Sequence, residues 1–419
     1  MAVQSRREDR ERTVQSLLKP ATEGELQRTL ADASASRQPL EIMGAGTKRS
    51  VGRVSQAAVT LTTASLSGIK LYEPTELVMS ARAGTPLARV EAELAAQGQM
   101  LAFEPVDLGP VVGAAPGAGT IGAVFITNLS GARRVAGGSA RDHLLGVAGV
   151  TGNGIPFRSG GRVMKNVTGY DVARLLTGSW GTLAVLSDVT FKVLPVPEQV
   201  ATILFFGLND AIAIEALSMA IATPWEVTGA VHLQSAMARR LSHPDLRGDR
   251  QAVTAIRIEN FSKSIAYRTG RLLEELKVFG KAHIFDHPRS IAFWDELRQL
   301  SVLQGSTAPL WRISTAPQAG PKVVADMARF MDCAVVYDWS GGLIWAEVQQ
   351  AADGGATDIR RVISAHGGHA TLIRAEPAVR SAVEVFQPLE QGLRDITAKI
   401  KAVFDPAGIL NPGRMTTTL

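Results

Sequence analysis

The sequence contains a single cysteine, Cys333, and only 5% of its 419 residues are aromatic. One cysteine excludes a disulfide framework, a Cys-x-x-Cys zinc site and an iron–sulfur cluster built from this chain alone. Neither positive nor negative charge is in large excess. The sequence has 44 Lys and Arg against 39 Asp and Glu, and the charged residues are spread along the chain. Without a basic tract, we expect no nucleic-acid partner.

Long hydrophobic runs are absent as well. The most apolar stretch, residues 200–224, is interrupted by Asn209, Asp210 and Glu215, so it cannot form a spanning helix. The first twelve residues mix arginines with acidic residues and lack the apolar core of a signal peptide. We therefore expect a flexible extension over residues 1–19 and no direct membrane insertion. The expected location is cytoplasmic, with any contact to the inner membrane made through partners.

Glycine, by contrast, is concentrated in one segment. Of the 40 glycines, 17 lie between residues 101 and 182, which predicts tight backbone there. Two glycine loops stand out, at residues 44–47 and 117–123, and glycine allows backbone N–H groups to approach a phosphate closely. Basic side chains that could share the charge of a large anionic cofactor follow both loops: Arg133, Arg134, Arg141 and Lys165.

The second loop also fits another pattern. Residues 117–122 read Gly-x-Gly-x-x-Gly, the fingerprint of a Rossmann dinucleotide turn, and Asp142 lies twenty residues further on. That fingerprint requires a strand leading into the loop and a helix opening from it. Pro116 interrupts the approach and residues 124–127 read as extended, so the context disfavours a Rossmann turn.

Element patterns divide the chain near residue 197. A helix over 23–35 and a strand over 39–43 precede the first glycine loop, and residues 144–158 read as a hairpin. A strand over 182–194 stops at a Pro-Val-Pro sequence, which is a plausible domain boundary.

The following region contains a β-α-β-β-α-β pattern twice, over residues 203–285 and 310–374, joined by a helix around 291–304. Two split β-α-β units imply antiparallel sheets covered by helices on one face.

The glycine loops carry a resemblance to a known fold. Three stretches resemble the pyrophosphate loop, the next unit and the flavin-contacting stretch of the vanillyl-alcohol oxidase-type (PCMH) FAD-binding fold: residues 42–47, residues 74–78 with 83–85, and residues 119–123 with Asn128 and Gly131. Further blocks are similar to the FAD-binding subunits of glycolate oxidase (glycolate dehydrogenase): residues 163–171, 176–182, 367–372 and 411–413. The resemblance covers about residues 20–415.

The resemblance implies an α+β fold. A two-lobed FAD-binding domain would occupy residues 20–197, and a cap domain of two ferredoxin-like split β-α-β repeats would occupy 198–384. Residues 385–419 would return to the FAD-binding domain. The implied cofactor is non-covalent FAD, because no His or Cys lies in or beside the 44–52 loop, where relatives with covalent flavin often carry a His.

The same resemblance implies a set of cofactor residues. The diphosphate and flavin side would be held by Met43, Gly44, Ala45, Gly46, Thr47, Lys48, Gly119, Thr120, Ile121, Gly122 and Ala123. Gly178, Gly181 and Val185 would lie near the nucleotide end, and Asn411 near the flavin ring. Other expected contacts are Pro105, Asn128, Gly131, Arg134, Lys165, Gly169 and Tyr170. Many relatives carry glycine where this chain has Ala123.

Oxidation of a 2-hydroxy acid by flavin needs a proton acceptor for the hydroxyl group and a cation for the carboxylate. Catalytic dehydrogenases of this fold usually carry a metal-binding histidine motif, which this chain lacks, so we expect no metal. The nearest string, residues 366–369, reads as a helix-ending turn with His369 leading the last cap strand. Arg312 as carboxylate clamp and His369 as proton acceptor are the candidate catalytic residues, although a paired, structural Arg312 is an open alternative. Arg374 ends the same repeat and is a further candidate for that cavity.

The family implies oxidation of glycolate to glyoxylate. Electrons would pass to a separate iron–sulfur subunit, and a second, catalytic FAD-linked subunit would complete the complex. Two alternatives stay open. The chain could be a non-catalytic structural or electron-relay subunit that binds FAD, or a stand-alone FAD dehydrogenase of another small 2-hydroxy acid.

Overall fold

The computed structural model of the chain describes residues 16–163, 169–247, 250–349 and 351–417. Within them, helices and mainly antiparallel sheets give the predicted α+β fold. No helix among these residues is long and apolar enough to cross a membrane.

The first lobe is a small parallel sheet with the order β1-β3-β2. Its strands are β1 (Ser16–Leu18), β2 (Leu40–Met43) and β3 (Val59–Thr62). Helix α1 (Glu23–Ala35) confirms the predicted bounds and begins where the Thr22 side chain accepts the Glu25 N–H. The expected extension over 1–19 is wrong at its end, because residues 16–18 pair with β3 and Leu18 packs on the lobe's core. The rest of that extension lies outside the described residues.

The second lobe is a five-stranded sheet with the order β4-β5-β9-β7-β8. The strands are β4 (Ile69–Glu73), β5 (Val78–Arg82), β7 (Leu144–Thr151), β8 (Pro156–Gly160) and β9 (Ala184–Lys192). The predicted hairpin is confirmed as β7–β8. Two short strands, β6 (Gln99–Met100) and β10 (Leu194–Pro195), pair separately. The helices of this part are α2 (Leu87–Ala95), α3 (Ile121–Thr127), α4 (Arg134–Gly137), α5 (Ala140–His143) and α6 (Val172–Leu176).

Helix α3 corrects the prediction that residues 124–127 are extended. Its β-branched residues favour a strand by propensity, but Ile121, Val124 and Phe125 share one helical face and are buried in the core. Packing therefore decides the local structure. No strand of the described chain leads directly into the loop, since β6 ends at residue 100, so a Rossmann turn is not formed.

The cap is one eight-stranded antiparallel sheet with the order β14-β11-β13-β12-β16-β17-β15-β18. The first repeat contributes β11 (Gln199–Phe206), β12 (Val227–Leu233), β13 (Val253–Asn260) and β14 (His283–Phe285). The second contributes β15 (Leu310–Ser314), β16 (Cys333–Asp338), β17 (Leu343–Val348) and β18 (His369–Arg374). Within the repeats the orders are 4-1-3-2 and 2-3-1-4, and the two second strands join them through the pairs His232–Tyr337 and Leu233–Val336.

The long helices of the two repeats cover one face of the cap sheet, as predicted, but two other helices, over residues 235–238 and 287–298, pack on the opposite face. The long helices of the repeats are α7 (Asp210–Ala222), α9 (Ser262–Leu276), α11 (Gly320–Met327) and α12 (Ala356–His366). The remaining helices are α8 (Ser235–Ala238), α10 (His287–Arg298), α13 (Pro377–Ala382) and α14 (Gln391–Phe404). The opposite face packs on the FAD-binding part, where Leu310 and Trp345 of the cap share a core with Leu108 and Trp180.

The C-terminal segment lies against the first lobe. Leu410 bridges to Leu40, and Asp405 accepts hydrogen bonds from the Ile409 and Leu410 N–H groups and from the Lys401 ammonium group. The domain boundaries at 197/198 and 384/385 stay predictions.

Candidate functional site

A cleft opens between the two lobes. It brings together the end of β2, the first glycine loop, α3 and the start of β9. Ten of the predicted cofactor residues line it: Met43, Gly44, Ala45, Gly46, Thr47, Lys48, Gly122, Ala123, Gly181 and Val185. The two glycine loops, 73 residues apart in the chain from Gly44 to Gly117, therefore meet at one site.

Two glycines allow close contacts at this site because they carry no side chain. A Cβ atom on Gly44 would lie 2.3 Å from Thr120 Oγ1, and one on Gly122 would lie 2.7 Å from Ala83 Cβ. Glycine at both positions is thus a steric requirement. Thr120 is 3% exposed, and its hydroxyl oxygen has no hydrogen-bond partner among the described residues. A buried hydroxyl group without a partner beside a glycine loop fits the binding of a polar ligand.

Cations face the cleft at the same end. Burial lowers the pKa of the Lys48 ammonium group, and the nearby Asp107 carboxylate opposes this shift. Burial also lowers the pKa of Arg414 to about 10, while Glu41 opposes the shift. Arg414 donates to the Lys48 and Val51 carbonyl groups, and its Nε atom has no partner in the described chain. Glycine loops with cations beside them fit the diphosphate of FAD.

Asn411 is placed behind the cleft instead of along it. Its Oδ1 accepts the Ile42 N–H at 2.8 Å, and its Nδ2 donates to the Trp180 carbonyl oxygen at 2.9 Å. With 1% exposure and its amide group bonded on both sides, Asn411 holds β2 against the loop at Trp180 and Gly181.

Other predicted cofactor residues also lie outside the lining of the cleft: Pro105, Gly119, Thr120, Ile121, Asn128, Gly131, Arg134, Gly169, Tyr170 and Gly178. Tyr170 is 94% exposed. Lys165 lies outside the described residues.

Sequence reasoning missed further residues of the lining: Ile42, Arg49, Thr63, Ala83, Ile126, Thr127, Trp180, Ala184, Leu186 and Arg414. A signal existed for Trp180 and Arg414, which adjoin the glycine positions 181 and 413 of the quoted motifs.

A second group of charged side chains lies where the cap meets the FAD-binding part. Strand alternation puts Arg312 on the face away from the helices, since Trp311 and Ile313 belong to the helix-covered core. The Cζ atoms of Arg134 and Arg312 lie 4.1 and 5.2 Å from the ring centroid of Trp339. Neither guanidinium group forms an ion pair with a described residue. Burial and the charge of Arg134 lower the pKa of Arg312 to about 10, while the nearby Asp338 carboxyl group opposes this shift.

His369 faces the same arginines. In register, Ser314 pairs with His369 and Arg312 with Thr371, so Arg312 and His369 share a face as predicted. Burial and the charges of Arg312, Arg134 and Arg360 lower the pKa of His369. The arginine charges therefore oppose uptake of a proton by the imidazole, which is exposed at the start of β18.

Next to this group lies a network of fully paired charges. Arg257 binds Glu104 through two hydrogen bonds of 2.8 and 3.0 Å, and Arg133 bridges Glu104 and Glu259 at 3.0 and 2.5 Å. Burial opposes the charged carboxylates, but the two arginines lower the pKa of Glu104 and bring that of Glu259 to about 2. This network joins the cap to the FAD-binding part.

Two other sequence assignments are settled by contacts. Arg374 is paired with Glu347 at 2.7 Å and donates to backbone carbonyl groups, so it is a structural residue and not part of a substrate cavity. Helix α12 ends at His366 with Gly367 at φ 77°, and β18 begins at His369, which confirms the predicted turn.

Cys333 is half-buried, and burial raises its pKa to about 11. No cluster of three metal-ligating side chains occurs in the described parts of the chain.

Comparisons with known proteins agree with this arrangement. A family model described as an FAD-binding domain matches residues 14–160. The chain is 33% identical to the glycolate oxidase subunit GlcE of Escherichia coli over 395 residues, which cover 92% of this chain and 95% of that protein. It is also 29% identical to a D-lactate dehydrogenase of Archaeoglobus fulgidus over 43% of this chain and 38% of that protein.

The fold matches a solved structure of p-cresol methylhydroxylase with a TM-score of 0.69, at 12% identity over 95% of this chain and 88% of that chain. The fold is therefore the PCMH type, with an FAD-binding part and a cap. With FAD as its cofactor, the chain belongs to the family of FAD-linked oxidoreductases that includes the glycolate oxidase subunit GlcE.

Proposed function

We propose that this chain is the FAD-binding subunit of a complex that oxidises glycolate, a small 2-hydroxy acid, to glyoxylate. The observation that carries the proposal is the pair of guanidinium groups, Arg134 and Arg312, that flank Trp339 without a carboxylate partner. Guanidinium groups bind carboxylates through paired hydrogen bonds. The names of the relatives, a glycolate oxidase subunit and a D-lactate dehydrogenase, support a 2-hydroxy acid as the substrate.

In this proposal, Arg312 holds the substrate carboxylate and His369 contacts the hydroxyl group as a neutral hydrogen-bond partner. FAD supplies the acceptor for two electrons when it is bound. The glycine loop 44–47, Lys48 and Arg414 hold it without a covalent bond, because none of the described residues that line the cleft is His or Cys.

The first proposed partner is the protein that would receive electrons from this chain. A single cysteine cannot ligate an iron–sulfur cluster, so electrons from this chain pass to a separate iron–sulfur subunit. A second, catalytic FAD-linked subunit completes the proposed complex.

The test is the visible spectrum of the purified chain after loading with FAD and anaerobic addition of glycolate. Glycolate should bleach the flavin bands, and acid precipitation should release the chromophore into solution. Flavin that is bleached only by dithionite would overturn the catalytic role and favour the relay role. Flavin that stays with the precipitate would contradict non-covalent binding.

A further inference from the structure

Asp338 lies at the end of β16, immediately before Trp339. Alternation along the strand places Tyr337 in the helix-covered core and Asp338 on the opposite face, which also carries Arg312. Asp338 pairs in register with Leu343, two residues from the Trp345 that pairs with Arg312. The carboxyl group is therefore on the same side of the sheet as the proposed clamp and one residue from the indole ring that both arginines contact.

The side chain borders a small cavity between the cap sheet and the loop at residues 130–132. One oxygen, Oδ1, accepts the Trp339 N–H at 2.7 Å. In the described chain no donor lies within hydrogen-bond distance of Oδ2, and Asp338 forms no ion pair. Half of this carboxyl group is thus fixed, and the other half is available to a ligand.

Charged groups face Asp338 from each element packed against it. These groups are Glu104 after β6, Arg257 on β13, Arg298 on α10 and Arg312 on β15. Burial raises the pKa of Asp338 to about 7; the negative charge of Glu104 adds to this shift, while the Trp339 N–H, Arg257 and Arg312 oppose it. A carboxyl group that titrates near neutral pH is suited to accept and release a proton.

We propose that Asp338 accepts the proton of the substrate hydroxyl group, a role that rests on the proposed function. The O–H bond breaks and its proton goes to Oδ2. Bound FAD would supply the acceptor for the hydride from C2, so that the C2–O bond would become a carbonyl and the acid would lose two electrons and two protons in total. His369, in the field of three arginines, is the poorer acceptor.

The experiment measures anaerobic bleaching of the FAD-loaded full chain by glycolate in a stopped-flow instrument. Asp338→Asn keeps an oxygen for the Trp339 N–H and removes the proton acceptor. We expect bleaching to slow by about 100-fold or more, while the dissociation constant of oxalate, a carboxylate that cannot be oxidised in this way, changes by less than about threefold. Asp338→Glu should recover part of the rate.

The pH profile separates a proton acceptor from a merely structural residue. In the wild-type chain the bleaching rate should rise with pH up to about 7 and then level off, because only the carboxylate form accepts a proton. In Asp338→Asn this rise should disappear.

Two comparison variants complete the test. Asp245→Asn, on an exposed side chain 3.8 Å from Arg289, should bleach at the wild-type rate. Wild-type bleaching by Asp338→Asn together with slow bleaching by His369→Gln would overturn the assignment to Asp338 and leave the proposed function standing. Failure of the wild-type chain itself to bleach with glycolate would overturn the proposed function, and the assignment with it.

Discussion

Two consecutive arginines experience opposite electrostatic surroundings. Arg133 donates to Glu104 and Glu259 in a buried network, whereas Arg134, one residue further on, lies over Trp339 with no acidic partner in the described chain. Arg257 and Arg312, on two strands of the cap, repeat the contrast. The paired arginines hold the cap to the FAD-binding part, and the unpaired ones are available to an anion.

The difference follows from the cost of a lone buried charge. Removing one partner of a buried ion pair leaves the other uncompensated, which costs about 3–5 kcal/mol. Removing an unpaired cation leaves no buried carboxylate without its partner. The two groups are therefore distinguished by what is lost on substitution, stability in one case and ligand affinity in the other.

The largest effect on stability is expected for Arg257→Met. Arg257 is 2% exposed and makes two hydrogen bonds to Glu104, so the free energy of unfolding should fall by about 3–5 kcal/mol. Urea unfolding of the purified chain measures this change. A loss below about 1 kcal/mol would mean that the network does not hold the interface.

Arg312→Met tests the other side of the comparison. A hydrogen bond to a charged group contributes about 1.5–3 kcal/mol, so affinity for oxalate should fall about 10- to 150-fold with little change in unfolding free energy. Calorimetric titration measures the affinity. Arg329→Met, whose side chain is 75% exposed, is the matched control and should bind oxalate as the wild type does. A large loss of stability in Arg312→Met would instead identify a structural arginine.

Two carboxyl groups should give pH effects of opposite sign. The pKa of Glu259 is near 2 in the folded chain against an ordinary value of 4.5, so its stabilising effect is present above pH 4.5 and is lost as the pH falls toward 2. The pKa of Asp338 is raised from 3.8 to about 7, so its ionisation destabilises the fold as the pH rises through that window. Unfolding free energies between pH 3 and 8 should therefore show a flatter acid limb for Glu259→Gln and a smaller loss toward pH 8 for Asp338→Asn. Identical profiles for both variants and the wild type would contradict the assignment.

The smallest effect is expected at an exposed ion pair. Arg271 and Glu274 are 45% and 66% exposed, and such helix pairs contribute only about 0.3–0.5 kcal/mol. Arg271→Ala should therefore change the urea midpoint only slightly. If Arg271→Ala lowered the free energy of unfolding as much as Arg257→Met does, pairing alone, without burial, would determine how much an ion pair stabilises the fold.

Local patterns in the sequence were enough to predict much of the fold. Helix α1 has the predicted bounds because capping residues act over a few positions. Helix α3 was missed because burial of its apolar face overrides its β-branched composition. The two repeats are joined into a single sheet by only two residue pairs between β12 and β16.

The parts of the site that are formed by glycine loops were predictable from the sequence. The parts that depend on side chains distant in the chain were less so. The loop at 44–47 was identified from its own residues and lines the cleft. Arg133 and Arg134 look alike in the sequence, and the acidic partner that separates them, Glu259, lies 126 residues away. Asp338 gave no signal, since its surroundings come from four different elements.

The mirrored strand orders of the cap imply a duplicated unit whose copies have diverged in what they present to the FAD-binding part. The first copy carries Arg257 and Glu259 on that face and serves as an anchor. The second carries Arg312, Asp338 and His369, none of which forms an ion pair with a described residue, beside the paired Arg374 and Glu347. One fold unit, used twice, thus presents an anchoring ion-pair network in one copy and, in the other, the charged groups to which we assign the proposed chemistry.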